Sequence, residues 1–92
     1  MHHELKTEIP YFDAAEQGLK PFEIRVNDRG YQKGDTILSK AWHRDANCYD
    51  STREPLRGTI TWVTNYAQKD GWCVFGVEYE DTRDRAKTLG VL

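Results

Sequence analysis

With 92 residues, the chain has room for one domain and not for two. Hydrophobic residues make up 38%, with three Trp, five Tyr and three Phe, a mixture too aromatic for a disordered chain. The formal net charge of −2 excludes bulk attraction to nucleic acid but not a local basic patch. No apolar run nears the ~18 residues of a membrane span, and the first residues show no signal segment, so a cytoplasmic protein with no membrane partner is expected. A chain this short buries only about 60–65% of its unfolded surface, which calls for a single compact core. Cys48 and Cys73 read as free thiols. His2, His3 and His43 match no zinc spacing, so neither a metal nor a cofactor is expected.

In chain order, residues 4–7, preceded by His3, read as a short first strand with Leu5 inward and Glu4 and Lys6 on the other side. Pro10 suits a first helical turn and Gly18 a C-cap, which predicts a helix between them. Tyr11 or Phe12, Ala15 and Leu19 give it one apolar stripe, and at this length it must lean on a sheet. Residues 22–26 are the second strand. Its period of two sets Phe22, Ile24 and Val26 on a buried face and Glu23 and Arg25 together on the opposite one. The turn Asn27-Asp28-Arg29-Gly30 follows, with Asp28 expected to make an Asx-type bond and Arg29 to pair with it.

Gly34-Asp35 turns the chain into a third strand over 36–42. Residues 46–55 read as a polar loop ending at Pro55. Residues 57–65 are β-rich, 68–71 form a turn, and 72–79 return as the last strand, where Gly76 marks a bulge or a close approach. Residues 1–80 thus form the domain, and 81–92 a charged tail or short docked helix. Five strands and one early helix imply an α+β fold whose curved, mostly antiparallel sheet approaches a small barrel.

The order HELKT, a helix ending in Gly18, then KPFEIRVNDRGYQKGDTILSKAW resembles the ASCH domain family of the PUA-like superfamily, most of all a small uncharacterised branch of bacteria and phages. The likeness spans residues 2 to about 78. Its most specific part is G-x-K-x-x-E-x-R followed by Gly34-Asp35. It implies a PUA-like pseudobarrel of five to six mostly antiparallel strands with one or two short helices. It also implies a cleft between barrel and helix that takes RNA or a modified nucleoside. One bacterial branch hydrolyses an acetylated cytidine nucleoside with a lysine, a threonine three positions on, and a distant glutamate. Lys20 matches the lysine and Arg25 the arginine that follows. Glu23 stands where the threonine would be, and the region of the distant glutamate is shortened, with no clear counterpart.

Each candidate residue has a plainer competing role. Lys20, beyond the helix C-cap, either answers the helix dipole or holds a phosphate; if buried, it is a catalytic amine. Glu23 and Arg25 either form a structural ion network or read a base and a phosphate. His3 and Lys6 join the cleft if the first strand lies beside the second, and Arg29 reaches it from the turn. Trp42, at a strand end beside His43 and Arg44, is the tryptophan expected to be exposed for stacking, ahead of Trp62 and Trp72, and Tyr31 is the other stacking candidate. Three functions follow: an RNA- or nucleotide-binding module using His3, Lys6, Lys20, Glu23, Arg25, Arg29 and Trp42; a hydrolase of an N-acylated nucleoside with Lys20 and Glu23 catalytic; or a protein-interaction module whose acidic end at 78–84 docks a partner. The oligomeric state is left open.

Overall fold

A computed structural model describes residues 1–80; the tail or docked helix expected over 81–92 lies outside the described residues. The elements are β1 (His2–Glu8), α1 (Ile9–Glu16), β2 (Phe22–Val26), β3 (Thr36–His43), β4 (Cys48–Tyr49), β5 (Leu56–Thr64) and β6 (Trp72–Tyr79). The fold is α+β: one helix and one curled, mostly antiparallel half-barrel sheet in the order β1-β3-β5-β6-β2, with β4 added beside β3. Among the described residues only β1 and β3 pair in parallel. The region expected as a plain loop over 46–55 contains β4, because Trp42 and His43 find ladder partners in Tyr49 and Cys48.

Register explains the layering. His3, Leu5 and Thr7 on β1 lie opposite Ile37, Ser39 and Ala41 on β3, and these six are all buried. Ile37 and Ser39 meet Gly58 and Leu56 on β5, and Ile60 meets Val77 on β6. The inner face continues through Phe75 and Cys73 to Glu23 and Arg25 on β2. A register shift between Ile60 and Trp62 places the extra residue, Thr61, beside Gly76. A Cβ on Gly76 would come within 2.9 Å of the Thr61 hydroxyl, so that glycine marks both the expected bulge and the close approach. The shift also turns Trp62 outward, leaving it 65% exposed.

The core is two clusters instead of one. Leu5, Tyr31, Ile37, Ile60, Cys73, Phe75 and Val77 fill the half-barrel. Phe12 and Ala15 of α1 pack on Ala41 and Leu56 at its end, and Tyr79 packs against both clusters. Pro10 sits in the first turn of α1. Gly18, at φ +78°, closes the helix: its N–H bonds the Ala15 carbonyl at 3.0 Å, and the Leu19 N–H bonds the Ala14 carbonyl at 2.9 Å, the paired pattern of a Schellman cap. Leu19 therefore lies past the helix, 74% exposed, and not on its apolar stripe.

Asp35 ties the start of the sheet together. One carboxylate oxygen accepts from His3 Nε2 at 2.8 Å and from the Gln32 N–H at 3.1 Å; the other accepts from the N-terminal ammonium at 3.1 Å. Its carbonyl receives the Ile60 N–H at 2.8 Å, and the Gly34 N–H bonds the Ile60 carbonyl at 2.7 Å. The Gly34-Asp35 motif is thus a knot joining β1, β3 and β5. The His3 hydrogen bond foremost, helped by the ammonium and the Gln32 amide, overcomes the effect of burial and holds the Asp35 carboxyl down at about 2.

Candidate functional site

β2 is built inside out relative to expectation. Glu23 is buried at 4% exposure, while Phe22, Ile24 and Val26 are 40%, 54% and 46% exposed. The alternation holds, but its two faces are exchanged. Pairing with β6 sets Glu23 opposite Phe75 and Arg25 opposite Cys73; with Phe75 and Cys73 in the core, their β2 partners must also face inward. A buried carboxylate is tolerable only if it is paired and hydrogen-bonded. Glu23 Oε1 accepts from Arg25 Nε at 3.0 Å and Nη2 at 2.8 Å, and Oε2 accepts from Lys20 Nζ. The Lys20 ammonium also donates to the Phe22 carbonyl at 2.7 Å.

This ion cluster sits at the seam of the half-barrel, where the two end strands of the sheet, β1 and β2, face each other. Arg25 Nη2 crosses the seam to the Lys6 carbonyl at 3.0 Å and the Thr7 hydroxyl at 3.2 Å. Thr7 in turn bonds the buried Ser39 hydroxyl. Arg29 donates to the Glu4 carbonyl, one pleat along the same strand edge, because alternate carbonyls of a strand point the same way. The expected turn roles are therefore corrected. Arg29 caps β1 and is not the partner of Asp28, and the loop is held instead by Asn27, whose side-chain oxygen accepts the N–H of Tyr31, four residues on, at 3.0 Å.

Above the seam lies an open cleft of about 760 Å³, bounded by Tyr11 of α1, by Lys6 and Trp42, and by Lys20, Glu23, Arg25 and Arg29. The Lys6 ammonium lies 4.3 Å from the centre of the Trp42 ring, and Tyr49 meets that ring edge-on at 4.9 Å. The structure brings six of the seven sequence candidates to one cleft. His3 is the exception: it is buried against Asp35 and Tyr31 because it shares the inward parity of Leu5. Tyr31 borders the cleft, but at 5% exposure it packs on Phe75 at 4.7 Å and offers no free face. Trp42 is half-buried; the more open tryptophans are Trp62, at 65%, and Trp72, at 39%.

Two features escaped sequence reasoning. Arg44 reaches the cleft rim, 3.6 Å from Glu8. The Tyr79 hydroxyl is buried with no hydrogen-bond partner among the described residues. Burial first, and the nearby Glu23 charge second, push its phenol well above the ordinary range, against a smaller opposing pull from Arg25. The apolar setting of 72–79 signalled a core tyrosine, and nothing in the sequence marked its neighbour as Glu23. Among the described residues no group of His, Cys, Asp and Glu can hold a metal ion, and no helix is long and apolar enough to cross a membrane.

A stretch of 40 residues, 44% of this chain, is 42% identical to an uncharacterized 12.9 kDa protein in the GpA 3′ region of Escherichia phage P2. It spans 37% of that protein's length, so the likeness is partial on both sides. A family described as a domain of unknown function, DUF3850, matches residues 2–77, from β1 through the whole seam and into β6. The chain belongs to the DUF3850 family.

Proposed function

We propose that the seam cleft binds single-stranded RNA or a nucleotide. The observation that carries this reading is the gathering of five cationic side chains, Lys6, Lys20, Arg25, Arg29 and Arg44, against three carboxylates, Glu8, Glu23 and Asp28, on one cleft in a chain of net charge −2. Glu23 neutralises part of Lys20 and Arg25, but Lys6 and Arg29 form no ion pair with it. Arg25 Nη1 takes no part in the Glu23, Lys6 and Thr7 bonds, which leaves a donor of the planar fork that suits phosphate. Trp42 and Tyr11 supply aromatic walls, and a base stacked on one is worth ~1–3 kcal/mol. The ASCH-like order of HELKT, Gly18, Lys20, Glu23 and Arg25 supports the same reading. Titrating a fluorescent single-stranded oligonucleotide at two salt concentrations tests it. Log affinity should fall with log salt by about 0.7 per phosphate contacted, and no binding at low salt would reject the proposal.

The direct Lys20–Glu23 contact favours a second reading, hydrolysis of an N-acylated nucleoside with these two as acid and base. Both Glu23 oxygens are already engaged, and the cleft is open, so binding is the better-supported function. Turnover of acylated nucleosides that is abolished in Glu23→Gln would reverse that order.

A further inference from the structure

The exchange of faces on β2 leaves an apolar surface on the outside of the sheet. Phe22, Ile24 and Val26 point outward, and the ladder sets Gly76, Val74 and Trp72 beside them. β5 then adds Trp62 next to Gly76 and Thr64 next to Val74. Phe22, Ile24, Val26, Trp72 and Trp62 are 40%, 54%, 46%, 39% and 65% exposed. We propose that this face is a two-fold interface with a second copy of the same chain.

Two observations select that occupant. First, the five side chains together present on the order of 400–500 Å² of apolar surface, scaling from ~150–250 Å² per aromatic. That is close to the roughly 65% apolar share of the ~800 Å² per partner that a stable interface buries. Second, the strand positions across this face carry no net charge. Arg57 and Glu78 are the ionic residues of the outward β5 and β6 rows, on strands paired to each other. Like faces therefore meet without repulsion, and there is no surplus of cations to hold a phosphate backbone. Trp62 is the most exposed of the five, beside Gly76, whose own space the Thr61 hydroxyl fills, and tryptophan is the residue type most often dominant at an interface centre. Ile24, Val26 and Trp72 also border the cleft, so the second copy would wall its open side.

The test is sedimentation velocity of the full chain over a wide concentration range, with Trp62→Glu and Ile24→Ser compared. The wild type should approach twice the 10.7 kDa monomer mass. Trp62→Glu, at an exposed site outside the cleft, should weaken dimerisation at least ~10-fold with an unchanged far-ultraviolet spectrum, and Ile24→Ser should weaken it less. A wild type that stays monomeric throughout overturns the proposal. Hydroxyl-radical footprinting of Trp62 then says what holds the face instead. A shielded Trp62 in the monomer assigns it to residues 81–92, and a reactive one to a different protein. A dimer unaffected by either substitution also overturns it.

Discussion

Arg25 on β2 donates through Nη2 to the main-chain carbonyl of Lys6 on β1 at 3.0 Å. Two end strands that share no backbone ladder are thus joined by a side chain. Arg29 repeats the device at the Glu4 carbonyl. These bonds satisfy edge carbonyls that would otherwise offer another chain a template for pairing.

Removing that staple should cost more than its half-buried position suggests. Arg25→Ala strips Glu23, whose side chain is 5% exposed, of its bidentate partner and leaves Lys20 alone to compensate. Breaking one side of a buried pair costs about 3 kcal/mol or more, so urea unfolding of Arg25→Ala should show a loss near that size. Arg25→Lys, which keeps the charge but not the fork, should fall between. A loss below about 1 kcal/mol would show that Glu23 does not depend on Arg25.

Gly58 should tolerate no side chain. A Cβ there would sit 2.6 Å from Val77 Cγ1, 3.1 Å from the Tyr79 ring and 3.2 Å from the Glu78 carbonyl oxygen. Overpacking of this kind costs about 1–3 kcal/mol. Thermal melts of Gly58→Ala should register it, and an unchanged midpoint would mean that β6 can move away from β5.

Tyr79→Phe should be neutral or slightly stabilising. The hydroxyl it removes is buried without a partner, and deleting an unsatisfied polar atom relieves its desolvation cost. A loss of more than about 1 kcal/mol in the same melts would reveal a hydrogen bond to the Tyr79 oxygen.

Acid sensitivity should trace in part to Asp35. Its carboxyl lies at about 2 in the fold against about 3.9 in an unfolded chain. A depressed carboxylate contributes stability that is fully present above the unfolded value and lost as the pH falls from about 4 towards 2. Melting temperature against pH should therefore drop through that window in the wild type and more shallowly in Asp35→Asn. Asp50 is also held low, chiefly by the Thr52 hydroxyl and amide, so some slope should remain. Superimposable wild-type and variant profiles would remove Asp35 from the account.

Much of the architecture was legible because each element carried a local signal: Pro10 and Gly18 bounded the helix, alternation marked β2, the turn at 68–71 marked the return of β6, and Gly76 announced the bulge. What alternation could not supply was the facing of β2. Phe22, Ile24 and Val26 look like a core row, but which row turns inward is decided by pairing with β6, a contact some 50 residues away in sequence. The same limit applies to His3, whose parity with Leu5 buries it. Trp62 is exposed only because a one-residue bulge reverses its side. Lys20, Glu23 and Arg25 were found together because their short spacing survives either choice of face.

The central claim is that the seam cleft is a phosphate-and-base site, and residue-resolved NMR tests it most directly. Titrating a short single-stranded oligouridylate into the labelled protein at low salt should shift the amides around Lys6, Lys20 and Arg29 and the indole N–H of Trp42. Added salt should reverse those shifts, because the contacts to phosphate are ionic. No shifts at low salt, or shifts confined to Trp62 and the outer face of β5 and β6, would contradict the account.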